Sequence, residues 1–553
     1  MSRRRRPFRV GAAGCLAATF LVGCTAQAPV PQPPSFEPTT TEPAPEPEPT
    51  SEPAPTLDSY GVNAGDAAGV EAGMQALAAG GNAVDAAVAT AFVLGVVAPY
   101  ASGIGGGGAA VLVPPGGEPI AYDYREVVPV SGRVPPGNEG VPGFVAGMAA
   151  LHAEYGSLPW ADLLEPAITL AREGHPSSQM LADQLRTSLG EAATRDLGHF
   201  RPGGGPLSLG DDLVQPELAG TLERLADGGA DEFYRGTVGR SLVDQVDGLD
   251  LESLDGYRLQ VSDPPTGEFA GMTLVGASPP LPGAAVIQML QIAEALGIAA
   301  TEPGSADFMH QLSAAWAVAA SSVESDFGDP AFVDVPVDRL TDAGRNAEVA
   351  ASLADGAITL SAPAGPAVGE TTHLTVVDAD GFLVSMTNTL TNFWGSGRYV
   401  DGYFVNDQLS RFTVGASGSN QPGPGRRSVS WSSPMVVLDA AGRPVLGLGS
   451  PGGLRIPLVL GNVLVRWGLH GQSLAEAVEA PRFFSSGSTL EVEAAPPGAV
   501  TAELRDRGYV IADPVPRNFY RFGSVNALEI DWESGTVVGT ADTRREAAFA
   551  VQE

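Results

Sequence analysis

The feature that most restricts how this chain can fold is a strand-turn-strand unit near residue 380. Residues 374–377 (Leu-Thr-Val-Val) and 382–387 (Phe-Leu-Val-Ser-Met-Thr) are strand-like, and Asp378-Ala379-Asp380-Gly381 between them offers a glycine for a left-handed turn position. Two antiparallel strands are expected. If Asp378 faces Phe382, the pairing runs outward to set Thr371 opposite Thr389, within the one-residue offset that a bulge would introduce. Two hydroxyls then meet at the far end of the hairpin.

A threonine that becomes N-terminal is a complete catalytic unit. Its own α-amine, with a reference pKa of about 7.7–8.0, takes the hydroxyl proton, so no histidine is required. Pairing alone favours the plainer reading, two threonines that merely sit across a sheet.

The rest of the chain supplies a large core. From about Tyr60 it is rich in Ala, Val, Leu and Gly; Ala83 to Phe92 is apolar on almost all sides, which predicts a buried helix. Gly103-Ile104-Gly105-Gly106-Gly107-Gly108 follows, where backbone must turn or approach something closely. The run lacks the Lys-Ser/Thr ending of a phosphate loop, so it does not predict a nucleotide site. Ala161 to Arg172 reads as a helix with Leu163, Leu164, Ala167, Ile168 and Ala171 on one side and Gly174 as its stop. Residues 175–350 alternate helical segments with Gly/Pro-rich connections and carry no chemical motif.

The N-terminal segment is of another kind. Arg3 to Arg6 and Arg9 precede an apolar run from Gly11 to Val22, the pattern of an export signal and too short for a lasting transmembrane helix. It ends in Leu21-Val22-Gly23-Cys24, which looks like a bacterial lipobox with Cys24 as the lipidated residue. The expected organisation is a signal over residues 1–23, a Pro/Thr/Glu-rich extended stalk over 24–56, and a catalytic body anchored on the outer face of the cell membrane. Cys15 would leave with the signal and Cys24 would carry lipid, so no disulfide is available and stability must come from packing. The chain has 31 Lys+Arg, all arginine, against 64 Asp+Glu, a formal net charge of -33. Such a field repels nucleic acid and anionic lipid, so membrane association is expected through the lipid only.

Gly80-Gly81-Asn82-Ala83-Val84-Asp85-Ala86-Ala87-Val88-Ala89 followed by Ser102-Gly103-Ile104-Gly105-Gly106-Gly107 is very similar to the amino-terminal signature of γ-glutamyltranspeptidases. Arg125-Glu126, Gly140-Val141-Pro142-Gly143, Tyr155-Gly156, Thr371-Thr372-His373, Asn406, Gly449-Ser450-Pro451-Gly452-Gly453 and Ala480-Pro481-Arg482-Phe483 continue the likeness from about residue 60 to 545. The resemblance implies an α/β (α+β) architecture, the four-layer αββα sandwich of N-terminal-nucleophile hydrolases. It also implies a precursor that cuts itself between Glu370 and Thr371, giving a large chain of residues 57–370 and a small chain of residues 371–553. It makes Thr371 the nucleophile, Thr389 the partner hydroxyl, Gly452 and Gly453 the oxyanion hole, and His373 structural rather than a general base. Arg125 corresponds to the arginine that holds the substrate α-carboxylate, and Ser430 to the first of two serines that assist it.

The chain departs from the family where the γ-glutamyl α-ammonium is bound. The family's Asn, Gln and Asp fall on Thr391, Gln408 and Arg411, and the second serine is replaced by Trp431. An arginine facing an ammonium is unfavourable, so an intact hydrolytic centre with an altered acyl pocket is expected unless Arg411 points outward. The stretch Thr413 to Arg426 is short where several relatives have a longer loop, which suggests a more open cleft.

The leading expectation is a cofactor-free amidohydrolase or acyltransferase acting on γ-glutamyl or related acyl amides through an acyl-enzyme, with small molecules or peptides as substrates. Two alternatives stand beside it. One keeps the mechanism and changes the substrate, to a glutaryl or cephalosporin-acylase-like or poly-γ-glutamate-cleaving activity. The other is a surface lipoprotein that has lost turnover. No His/Cys cluster suggests a metal.

Overall fold

In a computed structural model, residues 56–354, 369–412, 418–516 and 520–553 are described. The signal, Cys24 and all of the stalk but residue 56 lie outside the described residues, as does part of the 413–426 stretch.

The hairpin forms as its turn chemistry dictates. The Asp378 N–H donates to the Phe382 carbonyl (3.1 Å), and Gly381 takes φ +78°. The Asp378 carboxylate accepts from the N–H groups of Asp380 and Phe382 and, across the fold, from that of Ala83 (2.9 Å). The turn is thereby pinned to the start of helix Ala83–Val97, whose own N-terminus carries a reciprocal capping box between Asn82 and Asp85. Both strands extend further than expected, over Glu370–Val377 and Leu383–Thr391.

These two strands are the centre of a seven-stranded sheet. Across it run Ala548–Gln552, Tyr60–Ala64, Glu370–Val377, Leu383–Thr391, Gly107–Val113, Ile120–Asp123 and Gln260–Ser262. A second sheet of six strands runs Thr536–Thr540, Asn526–Asp531, Pro444–Gly449, Met435–Leu438, Met272–Gly276 and Thr266–Phe269. Strand alternation then assigns every face. Leu374, Val376, Val384 and Met386 pack on one helical layer together with residues of helices Ala67–Ala78, Ala83–Val97 and Trp160–Glu173. Val377 and Leu383 instead meet Val275, Val436 and Leu528 between the sheets. Leu274, Met435, Leu446 and Leu448 pack on a second helical layer, from helices Gly283–Ala295, Ala306–Asp326 and Ile456–His470. The result is the αββα sandwich.

The helix at 83–97 is buried on nearly all sides, and helix Trp160–Glu173 buries the five residues expected of it before Gly174 turns the chain at φ +95°. Among the described residues, no helix is long and apolar enough to cross a membrane.

Candidate active site

The inter-sheet face of the hairpin is apolar near the turn and lined with hydroxyls further out. The Thr375 hydroxyl donates to the Asn526 carbonyl (3.1 Å) and that of Ser385 to the Leu448 carbonyl (3.1 Å), so these side chains tie one sheet to the other. Gly449 in the second sheet leaves room for the His373 ring; a side chain there would collide with it. His373 Nδ1 is 2.8 Å from the Thr387 hydroxyl, and Nε2 lies 3.3 Å from that of Thr375. Burial pushes its imidazole down to about 3, so the ring is neutral at ordinary pH.

One step further out stand Thr371 and Thr389. Regular pairing holds as far as Thr372 opposite Asn388, and a bulge then shifts Thr391 opposite Glu370. The Thr389 hydroxyl is the hub of the distorted end. It donates to the Glu370 carbonyl (2.7 Å), accepts from the Thr391 N–H (2.7 Å) and lies 3.4 Å from the Thr371 hydroxyl. Thr391 sits at φ +87°, a strained conformation for a β-branched residue. The glycine run is what lets other chain segments close on this end. A side chain at Gly105 would strike the Phe404 carbonyl, and one at Gly106 the carbonyl of Thr389 itself.

From Thr391 a chain of hydrogen bonds leads inward. The Thr391 hydroxyl donates to the Gln408 side-chain carbonyl, and Gln408 Nε2 donates to the Ser428 hydroxyl (2.9 Å). The Ser428 carbonyl in turn accepts from Arg125 Nη1 (2.9 Å). Arg125 is fully buried and sets its fork on Asp123, with Nε to Oδ1 at 3.1 Å and Nη2 to Oδ2 at 2.7 Å. Arg125 and Arg427 together hold the Asp123 carboxyl below the usual range despite its burial. Ser430 and Trp431 are also buried, and the Trp431 ring packs edge-on against Trp316 within the second helical core.

Arg411 faces inward. Its Nη2 donates to the Asn392 side chain (3.2 Å) and lies where a side chain on Gly369 would stand. Burial lowers the Arg411 guanidinium below its usual range, and Asp407, which accepts from Asn392, opposes that shift. Gly452 and Gly453, at φ +138° and +57°, turn the chain into helix Ile456–His470; Gly453 packs against the backbone of Gly369. Sequence reasoning missed Asn392 and Asp407, and also Arg545, which forms a buried ion pair with the Glu370 side chain.

A γ-glutamyltranspeptidase family model matches residues 69–552. The chain belongs to the γ-glutamyltranspeptidase family. Among its relatives is the capsule biosynthesis protein CapD proenzyme of Bacillus anthracis, 36% identical over 89% of this chain and 90% of the relative. Another is the glutathione hydrolase proenzyme of Pseudomonas aeruginosa, 35% identical over 89% of this chain and 94% of the relative. A cephalosporin acylase from Bacillus halodurans superposes with a TM-score of 0.80 at 24% identity, over 92% of this chain and 99% of the acylase, and shares the fold. The protein is therefore an amidohydrolase or acyltransferase of the γ-glutamyltranspeptidase type, made as a self-processing precursor.

Proposed function

We propose that the chain cuts itself between Glu370 and Thr371 and then uses Thr371 to transfer γ-glutamyl-type acyl groups from amides to water or an amine. The observation that carries this reading is the Thr389 hydroxyl, shared between the carbonyl of Glu370 and the hydroxyl of Thr371. One side chain both orients the nucleophile and polarises the bond it attacks.

In self-cleavage, Thr371 Oγ adds to the Glu370 carbonyl carbon. The C–N bond breaks, the Thr371 nitrogen takes up the proton lost from its hydroxyl, and an ester joins Glu370 to Thr371 Oγ. Water hydrolyses that ester, leaving a Glu370 carboxylate and a free N-terminal threonine. The new amine, with a reference pKa of about 7.7–8.0, then serves as base for each later turnover. Gly452 and Gly453, at the turn before helix Ile456–His470, are proposed to present backbone N–H groups to the oxyanion. His373, buried and neutral with both ring nitrogens beside hydroxyls, is proposed to be structural.

The acyl pocket is proposed to lie between Thr391, Gln408 and Arg411, with Arg125, Ser430 and Trp431 shaping its wall. Arg125 already holds Asp123, so in this arrangement it supports the pocket through Ser428 and Gln408. The catalytic body is proposed to be exported and lipid-anchored at Cys24 on the outer face of the cell membrane, a reading that rests on the Arg-rich, apolar and Leu-Val-Gly-Cys sequence.

Intact-mass analysis of wild type beside Thr371→Ala tests the first step. Two fragments meeting at Glu370/Thr371, absent in the variant, are expected together with release of nitroaniline from γ-glutamyl p-nitroanilide. An uncut wild-type chain refutes the reading. Detergent-phase partitioning that survives Cys24→Ala refutes the anchor.

A further inference from the structure

On one side of the sandwich the two sheets open into a cleft that the acyl-transfer chemistry does not use. Strand Gln260–Ser262 ends the seven-stranded sheet, and Thr266–Phe269 ends the six-stranded one. Asp263-Pro264-Pro265 carries the chain from the first to the second, and residues 330–341 stand opposite, enclosing a cleft of about 940 Å³. The outer edge of Gln260–Ser262 bonds no further strand among the described residues, so its outward N–H and C=O groups are open to an added one.

The opposite wall is held in place. The buried Asp329 carboxylate accepts from Gln260 Nε2 (3.2 Å) and from the N–H groups of Ala331 (3.0 Å) and Arg427 (2.8 Å). Its carbonyl accepts from the N–H groups of Phe332 (2.9 Å) and Val333 (3.0 Å), and the Arg426 guanidinium lies over the Phe332 ring, 5.1 Å from the centroid. The cleft is therefore preformed, and a ligand entering it does not have to order the wall.

The lining is apolar between acids. Val261 and Phe332 are 54% and 48% exposed. Asp263, Asp334 and Asp338 are exposed on the same lining, and none of the three forms an ion pair among the described residues. Arg339, next to Asp338 in sequence, is paired with Asp326 instead. Three unneutralised carboxylates in one cleft concentrate a negative field there. That field repels a second copy of a chain whose formal net charge is -33, and it draws in a cation.

We propose that this cleft is a docking site for an extended, cationic segment of a partner protein. The segment adds a strand to Gln260–Ser262; its alternate side chains lay apolar groups on Val261 and Phe332 and set lysine or arginine against Asp263, Asp334 and Asp338. The inference goes beyond the acyl-transfer reading and does not depend on it.

The probe is an acetylated and amidated hexapeptide of alternating lysine and valine, titrated calorimetrically into the purified protein at low salt. Saturable binding is expected. Asp263→Asn/Asp334→Asn/Asp338→Asn should weaken it by about tenfold, the combined effect of three exposed ion pairs. Glu71→Gln/Asp162→Asn/Glu165→Gln removes the same charge from another surface cleft, beside helices Ala67–Ala78 and Trp160–Glu173, and should change the affinity by less than about twofold. The same hexapeptide N-methylated at every residue keeps its charges, loses its backbone donors and should bind at least about tenfold more weakly. Absence of saturable binding to wild type, as when a second copy fills the cleft, overturns the proposal. An unchanged affinity in the first triple variant does so too, as does equal weakening in both, which marks attraction to the acidic surface at large. Undiminished binding of the N-methylated peptide overturns it as well, because charge then acts without an added strand.

Discussion

Replacing Thr389 by valine keeps the shape of the side chain and removes its hydroxyl, which separates packing from chemistry at the proposed cleavage site. The hydroxyl donates to the Glu370 carbonyl at 2.7 Å, so the substitution takes away a donor aimed at the oxygen where negative charge develops. Loss of one such donor costs about 3–4 kcal/mol of barrier, or 10²–10³ in rate. The same oxygen accepts from the Thr391 N–H at 2.7 Å, and leaving that buried group unpaired costs roughly 1–3 kcal/mol of stability. Folding stabilities of about 5–15 kcal/mol absorb the second loss, so the variant should fold and cut slowly. Freshly purified precursor is followed by intact mass as the fragments ending at Glu370 and starting at Thr371 appear. Thr389→Ser, which restores the oxygen, should cut within about tenfold of wild type, the hydrogen bond being retained. If Thr389→Val cuts as fast as wild type, the carbonyl is activated by other groups and the shared-hydroxyl mechanism fails.

Gly453→Ala places a methyl group against the backbone of Gly369 and holds a non-glycine residue at φ +57°, so it should accumulate as uncut chain on a denaturing gel. Glu126 is fully buried, and burial raises its carboxyl to about 8. Because the unfolded chain ionises first, wild type should lose stability, of order 3–5 kcal/mol, as pH climbs from about 4.5 to 8. Glu126→Gln should flatten that slope in thermal melts at pH 5 and 9, and an unchanged slope counts against a buried neutral acid. His373 works in the other direction: with its imidazole held down to about 3, its contribution is complete above about 6.5 and is lost as pH falls towards 3. The acid limb of turnover should therefore follow the Thr371 amine, at about 7.7–8.0, rather than an imidazole, and His373→Gln should leave that limb in place.

What could be read from the sequence was whatever depends on near neighbours. The turn Asp378 to Gly381 fixes the hairpin because glycine and aspartate act within four residues, and the register follows from it by counting, through Asn388. Counting stops at the bulge, where a threonine takes a left-handed conformation that its own β-branch disfavours, so no local rule points to Thr391 as the residue that bends. The four layers, and the expectation that Gly452 and Gly453 serve Thr371, came from family likeness, because contacts between sheets leave only glycines such as Gly449 as a trace in the sequence. The same limit hid Arg545. It stands 175 residues from Glu370, beside a second arginine that serves a different carboxylate, Asp542. Nothing local tells the two apart. What separates them is the partner: the Asp542 carboxylate accepts from the N–H groups of Val525 and Arg544, whereas Glu370 is the residue before the proposed cut.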